Sequence, residues 1–315
     1  MTGVIVKSTG SWYWVRTDSH SQIQCRIRGK FRTKGIKSTS PLTVGDHVDF
    51  EMELNSNTGI ISNIHERKNY IVRKSVNLSK QTHIIAANID LAFLLVTLDN
   101  PPTFPSFIDR FLATARAYDI EAVLLFNKMD LNDEILEEKK NKLIKIYQDI
   151  GYKCLEISAT ENINIDKVKA LMLGKISMFS GHSGVGKSTL INAIDHTLQL
   201  KTAIVSTQHK QGQHTTTFAE MFALPTDPES YIIDTPGIKG FGVVDFENHE
   251  IGDYFPEFFA VKHLCKFNNC LHVNEPKCAV KEALEHGDIA KSRYRSYLQI
   301  LEGDEENYRT NSYDF

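Results

Sequence analysis

Residues 181–188 read Gly181-His182-Ser183-Gly184-Val185-Gly186-Lys187-Ser188 (GHSGVGKS), a match to the pattern G-x-x-x-x-G-K-[ST]. Gly181, Gly184 and Gly186 allow the backbone torsions with which successive N–H groups wrap a phosphate. In such a loop Lys187 supplies charge to the β- and γ-phosphates, and the Ser188 hydroxyl is a Mg2+ ligand. The flanks agree with this reading. Lys175-Ile176-Ser177-Met178-Phe179 reads as a short strand entering the loop, and Thr189 to Ile194 as the first turns of a helix whose N-terminus faces the anion. His182, Ser183 and Val185 fill the variable positions, so residues 181–189 form one candidate phosphate cradle.

Upstream, Asn127-Lys128-Met129-Asp130 follows Glu121-Ala122-Val123-Leu124-Leu125-Phe126, an apolar run of the kind found in buried parallel strands. A carboxylate at the end of such a strand can accept from both N1–H and N2–H of guanine. Adenine lacks that donor pair, so Asp130 would set base choice. Asn127 would touch the base edge and the loops around it, and the Lys128 stem would pack on the base plane. Ser158-Ala159-Thr160 also ends an apolar stretch, Cys154 to Ile157, and lies 28 residues after Asp130. It is the expected second base-contact loop. Downstream, Asp234-Thr235-Pro236-Gly237 ends Tyr231-Ile232-Ile233, another buried-strand pattern. Asp234 would hold Mg2+ through water, and the Gly237 N–H can meet a γ-phosphate. Between them lies Gly212-Gln213-His214-Thr215-Thr216-Thr217, the expected first switch loop. Thr215 or Thr216 would complete the Mg2+ shell.

The order of these parts is cyclically shifted. An ordinary small GTPase opens with the phosphate loop and closes with the base-reading motifs. Here residues 127–130 come first, then 158–160, then 181–188, then 234–237. The chain is expected to enter the α/β sheet near Ile89 and to leave it just after Gly237, running directly into the C-terminal region. Position 238 is Ile, where many GTPases carry a water-orienting Gln. Ile238 cannot hydrogen-bond water, so His214 is the best local candidate for orienting it, with an exposed loop histidine as the bland alternative.

Cys265-x4-Cys270-x-His272-x5-Cys278 places three thiols and an imidazole within 14 residues. Four such ligands match a closed tetrahedral Cys3His site for one structural Zn2+, with no position left open for catalysis. The other two cysteines, Cys25 and Cys154, are isolated. An odd count of five argues against a disulfide framework.

The first 70 residues read as all-β. Ser11–Arg16, Ile23–Ile27, Val48–Leu54 and Gly59–Ile64 are short β-branched and aromatic runs punctuated by glycines. About five such strands suggest an oligonucleotide-binding (OB) barrel. Trp12, Tyr13 and Trp14 alternate faces. A ring on the open face could stack on a base, while the plainer alternative places two of the three in the barrel core. The following strand–helix alternation implies a mostly parallel sheet. In it, Phe107 to Tyr118 and Asp133 to Ile150 have helical spacing, and toward the end Ala279 to Glu285 and Ile289 to Leu301 look helical. Lys291, Arg293 and Arg295 read as a basic side of the last helix.

The net charge of −3 hides an asymmetry. Residues 1–80 hold 13 Lys/Arg against 6 Asp/Glu, and the remainder 23 against 33. Arg26, Arg28, Lys30, Arg32, Lys34 and Lys37 make a local footprint for a phosphate backbone, or else a solvated charge run. No apolar run approaches the roughly 18 residues of a membrane span, and the N-terminus lacks the pattern of a secretory signal. A cytoplasmic protein with no membrane contact is expected.

Taken together, the barrel-like N-terminus, the NKMD–SAT–GHSGVGKS–DTPG order and Cys265/Cys270/His272/Cys278 resemble the bacterial circularly permuted GTPases that act on the small ribosomal subunit, the RsgA family. The resemblance covers essentially the whole chain. It implies an OB-fold barrel over 1–72, a permuted P-loop GTPase domain over 73–240 and a mostly helical zinc-binding domain over 241–315. It further implies a late 30S assembly or checkpoint factor that binds 16S rRNA, uses Mg2+ with GTP, is stimulated by the 30S subunit and is released as GDP forms. A monomer is expected. The family's loop before the threonines usually reads Gly-Arg/Lys-His-Thr-Thr. Position 213 here is Gln, so His214 matches but the basic side chain before it is missing. The apolar residue after DTPG matches the family, whose catalytic-histidine proposal falls on His214. Two other readings are a GTP-binding scaffold that barely turns over, which Ile238 permits, and a P-loop kinase, against which Asn127–Asp130 argues.

Overall fold

The computed structural model describes residues 1–27, 41–74, 82–131, 133–198, 219–234 and 247–303. In chain order the strands and helices are β1 (Thr2–Ser8), β2 (Tyr13–Arg16), β3 (Gln22–Ile27), β4 (His47–Met52), β5 (Thr58–Ile64), β6 (Tyr70–Lys74), β7 (Thr82–Ala87), β8 (Leu91–Val96), α1 (Pro105–Ala117), β9 (Glu121–Phe126), α2 (Glu134–Asp149), β10 (Lys153–Glu156), α3 (Ile165–Met172), β11 (Ile176–Ser180), α4 (Lys187–Ile194), β12 (Glu220–Leu224), β13 (Asp227–Asp234), α5 (Pro256–Val261), α6 (Ala279–His286) and α7 (Lys291–Leu301). The chain divides into two compact units. One gathers Met1–Ala92, Asp166–Ser180 and Val205–Gly240; the other gathers Phe93–Ile165, Gly181–Ile204 and Phe241–Phe315.

In the first unit β1 pairs antiparallel with both β2 and β4, and β3 runs parallel to β5, which pairs with β4. The order β1-β2-β3-β5-β4 therefore closes on itself as a five-stranded barrel, which removes the barrel's own open edges. Alternation along each strand turns Ile5, Tyr13, Val15, Cys25, Val48, Phe50 and Ile61 inward into one core. Of the three successive aromatics only Tyr13 joins that core. Trp12 and Trp14 are half-buried, and Lys7 lies over the Trp14 ring at 5.8 Å. The strand β1 is not marked by the sequence, because Val4-Ile5-Val6 is too short an apolar run to stand out. It also pairs with β12 at Lys7↔Glu220, where the two side chains meet at 3.0 Å. Beyond β12 lie β13, antiparallel to it, and β11, parallel to β13. The β6–β7 hairpin forms a separate two-stranded sheet that no turn signal betrayed.

The second unit holds β10 parallel to β9, with β8 on the other side of β9. The strand β8 is buried along its full length, as its unbroken apolar run requires when both faces are covered. Helix α1 buries Ile108, Phe111, Leu112 and Ala115, the four positions its spacing marks as inward. Helix α2 is capped by Asp133, whose side chain accepts from the Leu136 N–H at 2.8 Å. Helical spacing marks Leu136, Leu143, Tyr147 and Ile150 as inward; Leu143 and Tyr147 are buried, while Leu136 and Ile150, toward the helix ends, are only half-buried. The helix also buries Lys140, whose ammonium reaches Glu137 and Glu156.

The C-terminal region is mostly helical, and its core, Ile251, Phe255, Phe258, Val280, Ile289, Tyr297 and Ile300, continues into Ala113 of α1. Arg293 departs from the expected basic side. It is 1% exposed, and it is held by Asp109 and Glu257. Helical geometry accounts for this. At about 100° per residue, Lys291 and Arg295 share a face while Arg293 points the opposite way.

Candidate functional site

The phosphate-loop segment leaves β11 at Ser180 and enters α4 at Lys187. Gly186 is the N-cap of α4 with φ 99°, and Gly181 has φ 144°. A Cβ on Gly186 would lie 2.5 Å from the Asn127 side-chain nitrogen, and one on Gly181 would lie 2.9 Å from the Leu95 carbonyl. Torsion and space together restrict both positions to glycine. Val185 is fully buried, and the Lys187 ammonium lies across the loop, donating to the carbonyls of Gly181 at 2.6 Å and His182 at 3.0 Å. The His182 ring packs against Phe107 of α1, with centroids 3.9 Å apart and planes tilted by 32°. Ser183 and Gly184 form the loop's turn, and Ser188 and Thr189 lie in the first turn of α4.

The base-reading candidates converge on the same place. Asn127, directly after β9, is 3% exposed, and its amide group does two things. Its Nδ2 donates to the Val185 carbonyl at 2.8 Å, and its Oδ1 accepts from the Ala159 N–H at 3.1 Å. Three motifs far apart in sequence are thus joined by one side chain. Ser158 is buried, and its hydroxyl accepts from the Glu161 N–H. Lys128 sits at φ 65°, and its ammonium donates to the Asn100 carbonyl. Met129 and Asp130 lie on a single 3-10 turn, with Asp130 exposed beside the loops. The backbone of Asp234 closes β13, paired with Glu220. His214, Thr215, Thr216, Gly237 and Ile238 fall outside the described residues, as do the basic positions 28–37.

The second cluster is Cys265, Cys270, His272 and Cys278, whose ligand atoms all lie within 4.8 Å of one another. His272 turns Nδ1 toward Cys278 Sγ at 3.4 Å and Cys265 Sγ at 3.7 Å. A tetrahedral zinc with bonds of about 2.3 Å to sulfur and 2.0 Å to nitrogen sets S···N edges of about 3.5 Å, so the spacing fits. The loop is braced from behind. Glu275 accepts from the N–H groups of Leu271, Val273 and Asn274, while Tyr294 and Tyr297 donate to the His272 and Leu271 carbonyls. Burial pushes the Cys270 and Cys278 thiols up and the His272 imidazole down, which keeps His272 neutral as a ligand must be. A divalent cation among the thiols opposes that rise and favours thiolate. The residues suit Zn2+ and present it with a closed donor set.

Fold and motif order define a P-loop GTPase whose segments are cyclically shifted. The RsgA GTPase family model matches residues 64–244, and the RsgA N-terminal domain model matches residues 2–61. The chain belongs to the RsgA family. It is 65% identical to the small ribosomal subunit biogenesis GTPase RsgA of Flavobacterium johnsoniae, over 99% of this chain and 96% of that one. It is 52% identical to the protein of that name from Bacteroides fragilis, over 97% and 98%. Among solved structures it is similar to YjeQ from Thermotoga maritima (TM-score 0.79, 35% identity, 96% and 97% covered). A second likeness is to YloQ, a circularly permuted GTPase (TM-score 0.74, 31% identity, 96% and 94% covered). Family and relatives alike make the chain a GTP hydrolase.

Proposed function

We propose that this protein hydrolyses GTP to GDP and phosphate as a late checkpoint factor in maturation of the 30S ribosomal subunit. The 30S particle would switch hydrolysis on, and hydrolysis would release the factor. The single observation that carries the nucleotide half of this reading is the Asn127 side chain, which ties the Asp130 segment, the Ala159 loop and the phosphate loop together. The ribosomal half is supported by the names of relatives at 52–65% identity over nearly the full length.

In this reading Asp130 accepts from the guanine edge, and Lys128 and Ala159 border the base. Backbone N–H groups of residues 183–188 hold the phosphates, and Lys187 balances their charge. Mg2+, when bound, neutralises charge on the β- and γ-phosphates. Ser188, Thr215 or Thr216, and Asp234 through water, would hold it. His214 orients the attacking water, since Ile238 cannot, and the Gly237 N–H follows the γ-phosphate. The barrel, with the basic run from Arg26 to Lys37, takes 16S rRNA. One zinc ion at Cys265, Cys270, His272 and Cys278 fixes the C-terminal module. The protein acts as a cytoplasmic monomer; among the described residues no helix is long and apolar enough to cross a membrane.

GTP turnover titrated with purified 30S, 50S and 70S particles tests the proposal. Acceleration by 30S particles alone is expected. No acceleration, or equal acceleration by all three, rules out the checkpoint reading and leaves a slow guanine-nucleotide hydrolase.

A further inference from the structure

The buried Arg293 belongs to neither the zinc cluster nor the nucleotide loops, yet it is held by carboxylates from two other helices. Its Nε and Nη2 donate to the two oxygens of Glu257 on α5 at 2.7 and 3.1 Å. Its Nη1 donates to Asp109 Oδ1 on α1 at 2.8 Å. Asp109 is 0% exposed and also accepts from the Tyr147 hydroxyl on α2 at 2.7 Å. The guanidinium lies 4.4 Å from the Phe255 ring centroid. Ion pairs buried this deeply add little net stability, because desolvation offsets attraction. They are sensitive to geometry, because a displaced partner is left charged and dry.

Asp109 is two residues from Phe107, the ring against which His182 of the phosphate loop packs. Both belong to the same thirteen-residue helix. A helix of that length tends to move as one body, so a shift of α1 that displaces Phe107 against His182 would also strain the Asp109–Arg293 pair. A second tether, Arg116 Nε to the Asp253 carbonyl at 3.3 Å, ties the far end of α1 to the C-terminal region.

We propose that Arg293 is a positioning residue for the phosphate loop, acting from the zinc-bearing module through Asp109, helix α1 and the Phe107–His182 ring contact. The proposal rests on residues 181–188 being that loop. Coupling of this kind is reciprocal. The C-terminal helices set how well the loop closes on a nucleotide, and the nucleotide sets how firmly α7 is held.

GDP titrations of Arg293→Lys, Phe107→Ala and the double variant test this, together with hydrogen exchange over α7. Lysine keeps the charge but cannot bridge two carboxylates as the planar fork does. Each single variant is expected to bind GDP about 5- to 50-fold more weakly. The double variant should be scarcely weaker than the worse single, since both cut one chain of contacts. In the parent protein GDP should slow exchange at Lys291–Leu301, and in Phe107→Ala that slowing should vanish. Unchanged GDP affinity in a folded Arg293→Lys protein, or fully additive losses, overturns the proposal. If Arg293→Lys does not fold, the Phe107→Ala exchange measurement decides alone, because that ring is only half-buried. GDP-induced slowing that survives in Phe107→Ala also overturns it. A parent protein with no affinity for GDP would overturn both this inference and the phosphate-loop reading.

Discussion

The Asn127 side-chain nitrogen donates to the Val185 carbonyl at 2.8 Å, and Gly186, the next residue, leaves it the space to do so. Fifty-eight residues separate the partners. In this permuted chain the candidate base-reading segment precedes the candidate phosphate loop, so this contact closes the candidate pocket from its two ends. Asn127→Ala removes both bonds and leaves the buried Val185 carbonyl and Ala159 N–H unpaired. At about 1–3 kcal/mol for each buried polar group left unsatisfied, the variant should lose folding stability, and with the two loops no longer tied its GDP affinity by calorimetry should fall as well. Wild-type affinity in that variant would show that the pocket is held by other means.

Asp130→Asn replaces a double acceptor with a mixed donor and acceptor. Preference should then move from guanine toward xanthine nucleotides, with GTP binding weakened by about two orders of magnitude, from the loss of charged hydrogen bonds worth about 1.5–3 kcal/mol each. Competition between GDP and XDP for a fluorescent nucleotide reads this directly. Unaltered preference for GDP would refute the assignment of base choice to Asp130.

His214→Ala should slow 30S-stimulated turnover by on the order of 100-fold or more while leaving GDP affinity nearly unchanged, the pattern for a group that handles only the attacking water. Steady-state turnover beside equilibrium binding separates the cases. A parallel loss of affinity would assign His214 to nucleotide binding instead.

Cys278→Ser should lower zinc content from one ion per chain toward none by elemental analysis. It should also destabilise the C-terminal module, because binding energy at a structural site is folding energy. The loss should appear as faster proteolysis within 247–303. Retention of stoichiometric zinc with unchanged stability would argue against a Cys3His site.

Cys25 is wholly buried in the barrel, and burial pushes its thiol up to about 11. In an unfolded chain the thiol titrates near 8.5. Between these values the unfolded state holds fewer protons than the folded one. The contribution is therefore fully present below about pH 8.5 and is lost as pH rises through about 11, at roughly 1.4 kcal/mol per pH unit. Urea unfolding from pH 8 to 11 should show the gap between the parent protein and Cys25→Ala shrinking across that window. A constant gap would mean that the thiol reaches solvent.

Legibility in the sequence followed the range of the interactions. Phosphate-loop glycines, the zinc spacing and the inward face of α1 are local patterns, and each stands where the spacing put it. Long-range choices were less visible. Tyr13, Trp12 and Trp14 look alike in sequence, and barrel closure alone decides that Tyr13 goes inside. Lys140 and Arg293 look like surface charges until the carboxylates that neutralise them are placed, and Glu156, Asp109 and Glu257 come from other segments. The separation of Arg293 from Lys291 and Arg295 was nonetheless available from helical angles. The role of Asn127 was half legible: its type marked it as a loop-contacting amide, but its two partners depend on how α4 and the 158–160 loop are brought together.

Because β1 serves the barrel and also borders β12, the N-terminal domain is not a detachable cassette. A chain begun at about residue 65 would bare the flank of β12, leaving Glu220 without its lysine and an unguarded strand ready to recruit another molecule. Attempts to obtain the hydrolase alone by trimming the front of the gene should thus yield sticky, self-associating protein.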